Sequence, residues 1–182
     1  MQYESRQHEH QQSEGQLVSK IYAGSDHAGF TLRGRLVEHL RARGHEVEDL
    51  GPTTNASCDY PTSAAAVARA VRDDAGAFGL LVCGTGLGVC IAANKVRGVR
   101  AVDAWNVEGA RMSRAHNDAN VLCLGERLMA EAEALAVVDA WLATAFEGGR
   151  HGRRVAQIAA LEMEESHAAE LPAALATTDV QQ

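Results

Sequence analysis

Between residues 18 and about 160, short β-rich runs alternate with amphipathic stretches, and this alternation leaves few folds open to the chain. It predicts an α/β fold in which helices cover both faces of a parallel sheet. Strands are expected at Val18 to Ser25, Glu46 to Leu50, Phe78 to Cys83, Arg100 to Ala104 and Val121 to Leu124, each followed by a helix. The first helix, roughly Phe30 to Arg43, sets Leu32, Leu36, Val37 and Leu40 on one face, and Gly44 supplies a left-handed stop. The second begins at Pro61, a favoured first helical position, and the third starts near Gly86. The fifth, about Met129 to Phe146, is rich in Ala, Leu and Val, and a final helix runs from about Gly149 toward an acidic tail. Aromatic residues make up only 4% of the chain, so the core is aliphatic, which suits helices on a sheet better than a β-sandwich. A chain of 182 residues holds one such domain and buries a core without staples.

Charge and cysteine usage narrow the function classes. The formal charge of -7 belongs to the ends, since residues 1–17 carry -2, residues 161–182 carry -5, and residues 18–160 sum to zero. A neutral core can still hold an anion site if its arginines are gathered. No basic stripe with interleaved aromatics suggests nucleic acid. Cys58, Cys83, Cys90 and Cys123 form no CxxC pair and no Cys/His spacing suited to zinc, so neither a disulfide framework nor a structural metal is expected. No apolar run approaches the roughly 20 residues of a membrane span, and the polar N-terminus is no signal peptide, so a cytoplasmic protein without membrane contact is expected. The anticipated organisation is a polar, disordered extension at 1–17, a domain at 18–162 and an acidic tail at 163–182.

In an open parallel sheet, ligands sit beyond the carboxyl ends of the strands where the strand order reverses. For an order 2-1-3-4-5 that crevice lies between strands 1 and 3, which end in GSDHAGF and VCGTGLG. The run Cys83-Gly84-Thr85-Gly86-Leu87-Gly88 enters a helix, so several backbone N–H groups can converge on an oxygen and form an anion-stabilising nest. It is neither a Walker A loop nor GxGxxG, because the sixth position is Val89. A dinucleotide site, with Asp103 as the ribose-binding acid, is thereby weakened. Cys83 at the lip of the nest is either a base or nucleophile, favoured by the helix N-terminus, or a small buried hydrophobe. Cys58, Cys90 and Cys123 read as packing residues.

Asp26 and His27, just past strand 1, would face the loop, although an Asp there also serves as a helix cap. Arg150 and Arg154 share a helix face beside Gly148-Gly149, with His151 adjoining, and form either a phosphate clamp or a solvated surface pair. His116 and Asn117 precede strand 5 and so belong at the opposite end of the sheet from Cys83. Either His116 is structural or it completes the site of a second subunit.

SDHAGF, DYP, VCGTGLGVCIAANK, GVRA, AHNDANVLCLG and FEGGRHGRRV, in this order over about residues 19 to 162, resemble the RpiB/LacAB family of sugar-phosphate isomerases. The resemblance implies a Rossmann-like three-layer αβα sandwich with a five-stranded parallel sheet, a homodimer or dimer of dimers with active sites built from both subunits, and no metal or organic cofactor. It makes Cys83 the base that moves a proton between carbons 1 and 2 of an open-chain sugar phosphate, with Thr85 as its partner. The backbone of Gly84, Gly86 and Gly88 would hold the cis-enediolate. His116 would open the sugar ring, with Asp26 near the ring oxygen or hydroxyls; Tyr60 and Asn117 would contact the sugar. His27, Arg127, Arg150 and Arg154 would hold the phosphate. A second subtype of the family uses a Glu four residues after the cysteine position; here Leu87 stands there, which resembles the cysteine-base subtype. The implied reaction interconverts ribose 5-phosphate and ribulose 5-phosphate within the pentose phosphate pathway. The alternatives are the same chemistry on allose or galactose 6-phosphate or erythrulose 4-phosphate, or a sugar-phosphate-binding module without catalysis.

Overall fold

The computed structural model describes residues 18–170, with side chains described through residue 165. Its five strands are β1 (Lys20–Ser25), β2 (Glu46–Asp49), β3 (Phe78–Cys83), β4 (Ala101–Asp103) and β5 (Val121–Gly125). The helices are α1 (Phe30–Ala42), α2 (Tyr60–Asp73), α3 (Leu87–Ala93), α4 (Val107–Asn117), α5 (Glu131–Leu142) and α6 (Gly149–Glu170). All strand pairs are parallel, and the sheet runs β2-β1-β3-β5-β4. The expected α/β sandwich is therefore present, but the last two strands are exchanged relative to the order 2-1-3-4-5. The exchange has a physical reason: β5 is a wholly buried apolar strand, VLCLG, whereas β4 is three residues long. The longer buried strand takes the interior position beside β3, and the short one becomes an edge. The opposite edge, β2, has the charged sequence EVED, which discourages pairing with another chain.

One face of the sheet is covered by α1, α4 and α5 around Ile21, Leu36, Leu40, Leu122, Val137 and Trp141. The other carries α2 and α3, packed on Leu81, Cys83, Val121 and Cys123. Connections that step one way along the sheet use one face and those that step back use the other, as a single crossover handedness requires. Leu32, Leu36, Val37 and Leu40 of α1 are all buried as the periodicity predicts, and Gly44 adopts φ 88° just past its end. Arg33 in the same helix is also buried, which its charge does not suggest. Its guanidinium donates to Ser25 Oγ (3.3 Å) and the Pro52 carbonyl (2.9 Å) and lies 3.4 Å from Asp49.

Helix α6 continues past residue 162 to Glu170, so the acidic stretch begins inside a helix. The expectations for residues 1–17 and 171–182 lie outside the described residues.

His45, buried where α1 turns into β2, accepts a hydrogen bond from the Ser19 N–H at Nδ1 (3.2 Å). Burial, and next the nearby Arg43 charge, push its imidazole below the ordinary value. The unfolded chain then takes up this proton near pH 6.5 while the folded chain still resists it, so stability falls as pH drops below about 6.5. His45→Asn keeps an acceptor for Ser19 and is expected to flatten that decline. Urea midpoints at pH 7 and pH 5 for both proteins check this; equal slopes would remove His45 as the source.

Candidate active site

Strand β3 is flanked on both sides, by β1 and β5, with strands whose following helices lie on the opposite face. The loop leaving β3 therefore opens between diverging helices. Cys83 ends the strand, almost wholly buried at 4% exposure. Its Sγ accepts a hydrogen bond from the Gly86 N–H at 3.2 Å. Gly86 has φ 82°, a left-handed conformation that turns its N–H back toward the sulfur. A Cβ on Gly86 would also collide with the Asp103 carboxylate. Helix α3, which follows, is seven residues long. The nest thus rests on the backbone N–H groups of the loop more than on an extended helix dipole.

The neighbours of this loop are fixed by close backbone approach. A Cβ on Gly125 would lie 2.5 Å from the Thr85 carbonyl carbon, so β5 can approach the loop only because that position is glycine. The Glu126 N–H donates to the Cys83 carbonyl (2.9 Å) and the Arg127 N–H to the Gly84 carbonyl (3.0 Å). These bonds bring the Arg127 guanidinium over Gly84, where a Cβ would stand 3.2 Å from its central carbon. On the other side, the Tyr60 ring covers Gly88, at 2.8 Å from a Cβ built there. Tyr60 opens α2 and remains half-exposed.

Asp26 is buried, and its Oδ1 accepts from the Ala28 (2.9 Å) and Gly29 (3.0 Å) N–H groups, so the capping role is real. Its own N–H donates to the Val82 carbonyl (3.3 Å), which holds it beside the end of β3. His27 is exposed, with Nδ1 within 3.3 Å of the Cys58 backbone nitrogen. Cys83, Thr85, Gly84, Gly86, Gly88, Asp26, His27, Tyr60 and Arg127 all gather at the carboxyl end of the sheet.

His116 and Asn117 end α4 and precede β5, at the amino end of the sheet. Five residues of β5 separate the two ends, roughly 16 Å at about 3.3 Å per residue. The expected separation of His116 from Cys83 within one chain is therefore observed. His116 stacks on His151 with ring centroids 4.1 Å apart and an angle of 2° between planes. Both Nε2 atoms stand 3.7 Å from Glu147 Oε2. The Arg150 Nε–H donates to His151 Nε2 (3.3 Å), and Arg154 follows one turn later, also exposed. Burial, the His116 charge and Arg150 lower the tendency of His151 to take a proton. Asn117 is exposed, and its carbonyl accepts from Arg100 Nε (3.0 Å). One chain thus carries two half-sites at opposite ends of its sheet.

Glu147 enters only with the structure, and His151 and Asp103 acquire their neighbours there. Glu147 and His151 join His116 through the turn at Gly148-Gly149, both at positive φ, which no local motif announces. Asp103 lies against the Cys83 loop, its carboxyl pushed up by burial against the opposing effect of a 2.7 Å hydrogen bond from Trp105 Nε1–H. Its neighbours are Gly86 and the Trp105 indole. Cys123 is fully buried beneath the loop, and burial pushes its thiol well up, as suits a packing residue. A concavity of about 640 Å³ lies elsewhere, between α6 and the corner joining α3 to β4, and touches the candidate residues only at Asn117.

Known proteins share this sequence and shape. The profile of the Ribose/Galactose Isomerase family matches residues 21–158. Ribose-5-phosphate isomerase B of Escherichia coli K12 is 47% identical over 145 residues, spanning 80% of this chain and 97% of that protein. The solved structure of the Clostridium thermocellum ribose-5-phosphate isomerase B superimposes with a TM-score of 0.79 at 49% identity, covering 80% of this chain and 99% of that one. The Mycoplasma genitalium enzyme, solved with bound ribulose-5-phosphate, gives 0.77 at 44% identity, covering 80% and 97%. Among the described residues, no helix is long and apolar enough to cross a membrane.

Proposed function

Because the chain belongs to the ribose/galactose isomerase family, we propose that it interconverts ribose 5-phosphate and ribulose 5-phosphate through a cis-enediolate, with Cys83 as the base. The observation that carries this reading is the Cys83 sulfur, buried at the mouth of a glycine loop with the Gly86 N–H directed at it. An N–H donor at the sulfur fixes the position of the group that exchanges the proton with the sugar. Leu87 leaves no carboxylate four residues on to take the part.

In the forward direction the Cys83 thiolate removes the proton from C2 of the open-chain aldose, and the electron pair moves to the C1 carbonyl oxygen. The proton of the C2 hydroxyl passes to the C1 oxygen, and return of the carbon-bound proton from Cys83 to C1 gives the ketose. Thr85 and the N–H groups of the Gly84, Gly86 and Gly88 segment face the developing negative charge, where one well-placed donor contributes about 2.7–4 kcal/mol. Asp26 keeps its second carboxyl oxygen for a sugar hydroxyl while Oδ1 caps the turn. Tyr60 over Gly88 walls the sugar, and His27 and Arg127 border the same mouth.

The ring-opening group and two of the four phosphate-binding residues, Arg150 and Arg154, come from a second copy, while His27 and Arg127 belong to the chain that supplies Cys83. A two-fold axis that sets the carboxyl end of one sheet against the amino end of the other unites Cys83 with the partner's His116, Asn117, Arg150 and Arg154. In a homodimer, or a dimer of dimers, each site is then complete. Binding energy from the phosphate, remote from C1 and C2, serves to orient the reacting carbons. An isomerase of this substrate acts in the pentose phosphate pathway, and a cytoplasmic enzyme is part of the same proposal.

The test is solvent exchange followed by NMR in heavy water with ribose 5-phosphate, allose 6-phosphate and erythrulose 4-phosphate in parallel. Deuterium is expected next to the carbonyl, with ribose 5-phosphate preferred. Preference for another sugar would reassign the substrate. Binding without exchange would leave a sugar-phosphate-binding module.

A further inference from the structure

We propose that His116, Glu147 and His151 form a binding site for a divalent transition-metal ion of the zinc type, and that occupancy of this site switches the isomerase off. The three side chains come from the end of α4, the segment after α5 and the first turn of α6. Their donor atoms all lie within 4.8 Å of one another, and both imidazole Nε2 atoms are 3.7 Å from the same Glu147 oxygen. Two imidazoles and one carboxylate are the donor set of open, exchangeable zinc sites, with bonds of about 2.0–2.2 Å. Small rotations of the two rings, now parallel, and of the Glu147 side chain bring the donors to that distance.

The backbone holds the trio in place before any ion arrives. The Glu147 N–H donates to the Ala115 carbonyl (3.0 Å), tying the segment to the end of α4, and the His151 N–H donates to the Gly148 carbonyl (3.0 Å). The positive φ angles of Gly148 (65°) and Gly149 (54°) turn the chain so that Glu147 and His151 face the same ring of His116. The Arg150 Nε–H contact at His151 Nε2 sets the tautomer in which that nitrogen carries a lone pair, the atom a metal would take. Exposed Arg150 must withdraw when the ion binds, and with Arg154 it opposes a second positive charge. Occupancy is therefore reversible and weaker than at a structural zinc site.

Metal binding needs only the three side chains; its inhibitory consequence rests on the isomerase reading. A metal on His116 Nε2 takes the lone pair that would carry the ring-opening proton. The decisive measurement is calorimetric titration of Zn2+ into full-length Cys83→Ala protein, which removes the active-site sulfur and keeps the trio, with Cys58, Cys90 and Cys123 common to both titrations. His8 and His10 in the N-terminal segment are a competing sink, so the same titration is run on Cys83→Ala/Glu147→Gln protein. One additional zinc per chain is expected in the first protein, with affinity at that site at least tenfold lower in the second. Identical isotherms would overturn the site. In the protein with Cys83 intact, the turnover of each variant is read relative to its own zinc-free rate, and Glu147→Gln is expected to need at least tenfold more Zn2+ for half-inhibition, with activity restored by EDTA. Equal sensitivity, with the calorimetric difference present, would overturn the inhibitory half alone. If the unmodified enzyme isomerises no sugar phosphate, the calorimetric result still decides the metal site.

Discussion

Cys83→Ala is expected to lower kcat by about 10²–10⁴-fold, the usual contribution of a positioned general base, while sugar-phosphate affinity changes less than about threefold. The sulfur sits at the end of β3 and its removal leaves a small gap under the loop, with no clash. The Gly86 N–H loses its acceptor, but the carbonyl bonds from Glu126 and Arg127 still hold the loop to β5. The lesion therefore falls on the chemical step and not on the ground-state complex. Steady-state turnover and equilibrium titration of ribulose 5-phosphate into the variant separate the two. Turnover near the unmodified level would remove Cys83 as the base, and an equal loss of affinity would make its role one of binding.

Mixing Cys83→Ala and His116→Ala chains, each nearly inactive alone, is expected to restore about a quarter of full activity. If a dimer builds each site from the carboxyl end of one sheet and the amino end of the other, a mixed dimer carries one doubly damaged site and one intact site. Random exchange makes half of the dimers mixed, and half of their sites work. The number is diagnostic because a site contained in one chain recovers nothing. Activity is read after subunit exchange verified by mass spectrometry of differently tagged chains. Full exchange without recovery would sink the shared site and leave His116 as a structural residue stacked on His151.

How far the sequence reaches differs between the two halves of the site. The carboxyl-end half was legible because Cys83 to Gly88 are contiguous and glycine marks where backbone must approach closely; Tyr60 over Gly88 and Arg127 over Gly84 follow from those gaps. His116, Glu147 and His151 carry no such mark. They meet across a separation of some thirty residues through a two-glycine turn, and pattern reading sees neighbours along the chain, not across it. The same limit explains the sheet. Apolar runs identify β4 and β5 as strands, but nothing in a run states its partner, so the exchange of the last two strands became visible only in three dimensions. Arg33 shows the converse: its position on the α1 stripe predicts burial, while its charge predicts exposure, and the acceptors that reconcile them, Ser25 and Pro52, lie on other elements.

The strand order also governs what a ribosome can release in folded form. Once β1, β2 and β3 have emerged, they can form the contiguous half-sheet β2-β1-β3. Strand β4 emerges next without a neighbour, since it pairs with β5 and with no other strand, and β5 must first settle against β3. Synthesis from the N-terminus therefore adds the last two strands in inverted order. Helix α6, bearing Arg150 and Arg154, leaves last. A nascent chain thus owns Cys83 and His27 well before it owns Arg127, Arg150 and Arg154, so three of the four groups assigned to the phosphate are synthesised after the base.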